Sequence, residues 1–263
     1  MNWIEALILG IIQGLTEFLP VSSSGHLELG KVILGVSAEK SLMYTVVVHG
    51  ATVLSTIIIF RSDITRIIAK FLEFKWNFEM RYVIKIFISM IPVLIIGLFF
   101  KELVEGFFTG NLLIVGSMLL ITAVLLAFTY YARAREKTIS FSDSLVIGIA
   151  QAFAVLPGIS RSGATIATGL LLGNKRENVA RFSFLMVLIP IIGANLKDLY
   201  EGTASVEGGV GITPLIVGFL AAFISGLLAC KWMIKLVRKG KLVYFAIYCA
   251  VIGSTAIGFY YFG

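Results

Sequence analysis

Glu17, Ser23, His26 and Arg161 are the residues of this chain whose types and neighbours could do chemistry. Ser22, Ser23 and Ser24 follow Pro20 closely and lead into Gly25 and His26. Where such a run opens a helix, free N–H groups and serine hydroxyls make an anion site. Ser23 and His26 are three apart and can share a helical face. A serine near a histidine is the minimum for an activated nucleophile. Glu17 follows Gln13 by four residues, which puts both on one side of a helix, with Gln13 in support. Its carboxylate suits proton transfer or contact with a metal, and capping of the loop is the plain structural alternative. Arg161 stands between Ser160 and Ser162. A guanidinium is a two-pronged clamp for phosphate oxygens, and it could equally pair with Glu17 while substrate is away. His49, flanked by Thr45 and Thr52, is read as support in the same cavity or as a hydrogen-bonded core histidine.

Four of these residues, Glu17, His26, His49 and Arg161, are ionisable and lie in strongly apolar surroundings. The chain has 263 residues, 58% hydrophobic and 14% charged, where a soluble domain carries about 25% charged. That excludes a soluble globular domain, a disordered chain and a nucleic-acid-binding module. The net charge of +7 is what cytoplasmic loops rich in Lys and Arg produce in a membrane protein. Met1 to Gly10 has neither a basic start nor a cleavage site and reads as part of the folded chain. Cys230 and Cys249 lie in apolar runs and read as small buried side chains.

Six apolar runs predict transmembrane helices at about 44–60, 83–100, 111–131, 182–196, 212–235 and 242–262. The fourth is short and would need tilt or a thinner bilayer. Two more apolar segments, 2–35 and 145–173, are broken by Pro, Ser and Gly. Such a break predicts a re-entrant helix–loop–helix, because irregular backbone at membrane depth survives only inside protein or beside water. Segments 61–85, 132–143, 174–181 and 230–241 hold 17 Lys and Arg, against 4 in segments 1–43, 101–110 and 196–211. The first group is therefore expected in the cytoplasm and both termini outside. The basic stretch 61–85 reads as a solvated linker on anionic lipid.

The broken segments repeat each other. A shift of 138 residues gives 8 identities over the 26 positions from Gly10 to Gly35, where composition alone gives about two. The halves are 1–131 and 145–263, in one integral membrane domain. Each has a re-entrant segment and three spans, so the second half must be inverted, a transporter-type plan with its site at the junction. Ser22, Ser24 and Gly25 recur as Ser160, Ser162 and Gly163, which suits a shaping role. Glu17, Ser23 and His26 are matched by Val155, Arg161 and Ala164, which suits chemistry.

The run Gln13-Gly14-Leu15-Thr16-Glu17-Phe18-Leu19-Pro20-Val21-Ser22-Ser23-Ser24-Gly25-His26 resembles the first signature of the undecaprenyl-diphosphate phosphatase family. Pro157 to Thr165 resembles its second, and Ala180 to Phe184 with Pro190 also fit. The resemblance covers essentially the whole chain. It implies an enzyme of the bacterial inner membrane that hydrolyses undecaprenyl diphosphate to undecaprenyl phosphate and inorganic phosphate, recycling the carrier for peptidoglycan. It maps the catalytic roles to Glu17, Ser23, His26 and Arg161. Phosphate binding falls to Ser22, Ser24, Gly25, Ser160, Ser162 and Thr165. The site is expected to open to the outer face. The attacking group is Ser23, His26 or a water. The family implies help from a divalent cation, Mg or Ca, and no organic cofactor. Many relatives have a glutamate where this chain has Gln13, which leaves Glu17 as the one carboxylate for a metal. The expected partners are the polyprenyl diphosphate and membrane lipids, not nucleic acid, and no pattern sets an oligomeric state. A lipid-phosphate flippase is the alternative from another class.

Overall fold

The computed structural model describes residues 1–36, 42–107, 111–132, 136–200 and 210–262. Its elements are helical: α1 (Trp3–Phe18), α2 (Ser23–Leu34), α3 (Leu42–Ile59), α4 (Arg61–Phe71), α5 (Phe78–Phe99), α6 (Lys101–Glu105) and α7 (Leu112–Phe128). After them come α8 (Phe141–Phe153), α9 (Arg161–Leu171), α10 (Arg176–Met186), α11 (Leu188–Tyr200), α12 (Ile212–Lys239) and α13 (Val243–Phe262). Among the described residues, six helical stretches are long and apolar enough to cross a membrane, and they coincide with the six expected spans. The chain is a multi-pass α-helical membrane protein. Its outer faces are apolar, with Ile33, Leu98 and Phe99 largely exposed, as hydrocarbon contact requires. The buried apolar side chains gather around α7, α9 and α10.

One expectation needs correction. The fourth span is not short: it runs from Arg176 to Lys197 as α10 and α11, with a break at Val187. Pro190 explains the break, since it lacks an N–H and its ring clashes with the carbonyl four residues back, Met186. The linker at 61–85 holds a helix, α4, none of whose residues is buried. Segment 196–211, expected outside, includes 201–209, which lie outside the described residues.

The two broken segments become the pairs α1–α2 and α8–α9, each packed on itself. With 11 to 16 residues apiece, these helices rise only about 16–24 Å and fall short of a bilayer core. They are built alike. Asn2 caps α1 in a reciprocal capping box with Glu5, and Ser140 caps α8 with Asp143. These positions also differ by 138, so the repeat reaches upstream of the identities. Ser22 caps α2 through the Gly25 N–H, and Ser160 caps α9 through the Gly163 N–H.

The halves interlock. α1 packs along α12, and the corresponding α8 packs along α5. α7 meets α13, and α3 meets α11. Each pair thus leans on the middle span of the opposite half, an arrangement compatible with inverted repeats. Small residues allow the approach: a Cβ at Gly10 would lie 2.6 Å from the Gly218 carbonyl oxygen, and one at Gly14 would collide with Ser225 and the Ala222 carbonyl. This packing sets α1, and with it Glu17 near its C-terminus.

Candidate active site

The two loops touch. The Gly158 N–H donates to Ser22 Oγ at 3.2 Å, and Ser162 Oγ donates to the Leu19 carbonyl at 3.1 Å. Ser22 sits at φ 68°, an uncommon conformation for a residue with a Cβ, held by the two N–H groups that meet its hydroxyl. Gly25 closes the junction, since a Cβ there would lie 3.1 Å from the Gly158 Cα. This contact brings the N-termini of α2 and α9 to one place.

Glu17 is the centre of the resulting cluster. Ser23 Oγ donates to its Oε2 at 2.5 Å, and Gln13 Nε2 to the same oxygen at 2.9 Å. Arg161 donates to Oε1 at 2.8 Å. His49 Nε2 lies 3.9 Å from Oε2. The His49 Nδ1–H donates to the Thr45 carbonyl at 2.9 Å, which turns Nε2, the other ring nitrogen, toward the carboxylate. A buried carboxylate is tolerable because it is paired and hydrogen-bonded.

A cavity of about 660 Å³ opens beside the cluster. Glu17, Ser23, His49 and Arg161 line it, as do Ser22, Ser24, Ser160 and Ser162. Three expected site residues take other places. His26 turns to α13: its Nδ1–H donates to the Ser22 carbonyl at 2.9 Å, its Nε2 accepts from the Tyr248 hydroxyl at 2.8 Å, and the rings stack. Three helical residues turn the chain by about 300°, and that offset is enough to part His26 from Ser23. Thr165 is buried, bonding Ser183 and the Arg161 carbonyl. Gly25 spends its N–H on Ser22 and serves the close approach described above.

Three lining residues had no place in the sequence reading of the site. Gln151, the repeat partner of Gln13, is buried, and its Nε2 has no partner among the described residues. Its signal was the repeat itself. Glu28 and Lys31 form an ion pair in the cavity wall. On α2 alone they read as an ordinary (i, i+3) surface pair.

The donor set does not fit a protein-held divalent cation. No group of three His, Cys, Asp or Glu converges among the described residues. Both Glu17 oxygens are already engaged, by Arg161 on one side and Ser23 and Gln13 on the other.

A carboxylate-activated serine facing a guanidinium across two helix N-termini is suited to phosphoryl transfer. Comparison with known proteins agrees. The family described as bacitracin resistance protein BacA matches residues 6–255. This chain belongs to the BacA family. Among its BacA-family relatives, an "Undecaprenyl-diphosphatase" of Bacteroides fragilis (strain ATCC 25285) is 58% identical over 261 residues, 98% of each chain. One from Parabacteroides distasonis is 56% identical over 260 residues, 98% of each. A third, from Carboxydothermus hydrogenoformans, is 40% identical over 263 residues, 98% of this chain and 97% of that one. The matched region includes both runs, Gln13 to His26 and Pro157 to Thr165, that meet where the structure joins the two loops.

Proposed function

We propose that the cavity hydrolyses undecaprenyl diphosphate to undecaprenyl phosphate and inorganic phosphate, with Ser23 as nucleophile. The observation that carries this is the 2.5 Å hydrogen bond from Ser23 Oγ to a Glu17 that Arg161 already holds. The printed names of the relatives supply the substrate.

The terminal phosphate enters between Ser23 and Arg161, and Arg161 moves from the Glu17 carboxylate to the phosphate oxygens. The Ser24 hydroxyl and the Gln151 amide offer further donors from the cavity wall. Glu17 takes the proton as Ser23 Oγ bonds to phosphorus. The bond from that phosphorus to the bridging oxygen breaks, and the electron pair leaves on undecaprenyl phosphate. Water then attacks the phosphoserine, giving its proton to His49 Nε2, and Glu17 returns a proton to Ser23. Arg161 stabilises the charge on the phosphoryl oxygens in both steps. The polyprenyl tail lies in lipid between helices. The enzyme works in the bacterial inner membrane, with its cavity open to the outer face.

A lipid-phosphate flippase would share the fold, but nothing at the site favours it. Purified protein in detergent micelles separates the readings, because moving a lipid across a membrane has no meaning there. Release of inorganic phosphate from undecaprenyl diphosphate, lost in Glu17→Gln, is the expected result. Absence of release from well-folded protein would overturn the hydrolase reading.

A further inference from the structure

The cavity wall carries a second buried ion pair that the reaction above leaves unused. Lys31 Nζ donates to Glu28 Oε1 at 3.2 Å, and the two side chains are only 9% and 12% exposed. Among the described residues this is the one hydrogen bond Lys31 makes. An ammonium has three donors. A buried pair repays its desolvation only when its remaining donors and lone pairs are also met. Glu28 is thus its partner among the described residues, and the ammonium itself lies in the cavity wall, where an anion could meet it.

Its position indicates which anion. Lys31 is eight residues beyond Ser23 on α2, about 12 Å along the axis. Helical side chains lean back toward their N-terminus, so the ammonium is directed toward Glu28 and the reacting end. A lipid diphosphate has two phosphates in line and one tail. With the terminal phosphate between Ser23 and Arg161, a second phosphate directed along α2 comes to Lys31, which lines the same cavity. Lys31 stands on this path.

We infer, resting on the hydrolase reading, that Lys31 is the subsite for the phosphate next to the lipid, with Glu28 holding it in place until substrate enters. When the bond to the bridging oxygen breaks, its electron pair ends on the lipid monophosphate. Lys31 stabilises that charge, as Arg161 stabilises the charge on the transferred group. Glu28 is a positioning residue.

The test uses purified protein in micelles with three readouts: kcat/KM on polyprenyl diphosphate, affinity for a polyprenyl monophosphate, and affinity for inorganic phosphate. Both affinities are read as shifts in melting temperature. Lys31→Met is expected to lower kcat/KM and weaken the lipid monophosphate by about tenfold or more, the loss of one charge-assisted hydrogen bond. Inorganic phosphate, which reports the Arg161 end, keeps its affinity. Lys31→Arg recovers most of the loss. Because Lys31→Met strands a buried carboxylate, Glu28→Gln/Lys31→Met is measured beside it and is expected to show the same pattern. Wild-type affinity for the lipid monophosphate in the double variant would overturn the subsite, as would equal weakening of all three readouts. Failure of the wild-type protein to release phosphate would instead strike the hydrolase reading, while the binding readouts would still decide on Lys31.

Discussion

Arg161 and Glu17, 144 positions apart in sequence, are joined by a 2.8 Å ion pair at the meeting of α1 and α9. Each half of the chain contributes one partner, so neither half has a site alone. The pair also poses the strictest test of the phosphate clamp. Arg161→Lys keeps the charge but loses the planar fork. Turnover is expected to fall by about two orders of magnitude or more, the usual cost of a transition-state donor. Steady-state phosphate release checks this, and near-wild-type turnover would make Arg161 a structural partner of Glu17.

Ser22 and Ser23 are neighbours with different duties. The Ser22 hydroxyl accepts two backbone N–H groups, from Gly25 and Gly158. Ser22→Ala leaves both donors unmet and is expected to cost about 1–3 kcal/mol of stability. Ser23→Ala removes no backbone partner and is expected to melt like wild type while losing turnover. Thermal unfolding in detergent, set beside phosphate release, separates the two. The reverse pattern would exchange their roles.

The two histidines divide in the same way. His49 faces Glu17, and His26 faces Tyr248. His49→Asn is expected to lower kcat by about a hundredfold, the low end for lost proton transfer. His26→Phe keeps the stack on Tyr248 and is expected to stay within a few-fold of wild type. A large kcat loss in His26→Phe with an unchanged melting temperature would return His26 to the reaction.

Much of this arrangement was legible in the sequence. Continuous apolar runs announce spans, and an ionisable residue inside an apolar segment is costly enough to mark function. Glu17 and Arg161 were visible for that reason, Ser23 for its place near His26 at a helix start, and the repeat predicted that their loops belong together. The contact of His26 with Tyr248 was not readable, because a three-residue spacing leaves a helical angle that only the neighbouring helix resolves. That neighbour is α13, more than 200 residues away. His49 stayed ambiguous because its role depends on packing of α3 beside α1. Glu28 and Lys31 look solvated on paper; only the fold closes the cavity around them. The break at Val187 was readable from Pro190, but hydrophobicity alone hid the helix before it, where Arg176, Glu177 and Arg181 lower the apolar signal.

Helix packing around α1 gives a stability test independent of chemistry. Gly14→Ala drives a Cβ into Ser225 and the Ala222 carbonyl, and overpacking of this kind costs about 1–3 kcal/mol. Gly97→Ala, with nothing within 4 Å of the new Cβ, is expected to be neutral. Melting temperatures in one detergent compare them. Equal tolerance would mean that α1 and α12 are not held this closely.

Orientation follows from the charge asymmetry. Cysteines at Lys75 and Leu103, at opposite ends of α5, should react with impermeant reagents from opposite sides, Lys75 from the cytoplasm. The native Cys230 and Cys249 are buried and contribute little background. Labelling of both positions from one side would contradict the assigned topology.

The central claim is that Ser23 attacks phosphorus and is itself relieved by water. Two in-line displacements leave the configuration at phosphorus retained, whereas direct attack by water inverts it. The measurement is the stereochemical course with a lipid diphosphate whose terminal thiophosphate is chiral through oxygen isotopes, hydrolysed in water carrying the remaining isotope. Net retention is the predicted result. Net inversion would contradict a phosphoserine and assign the attack to water.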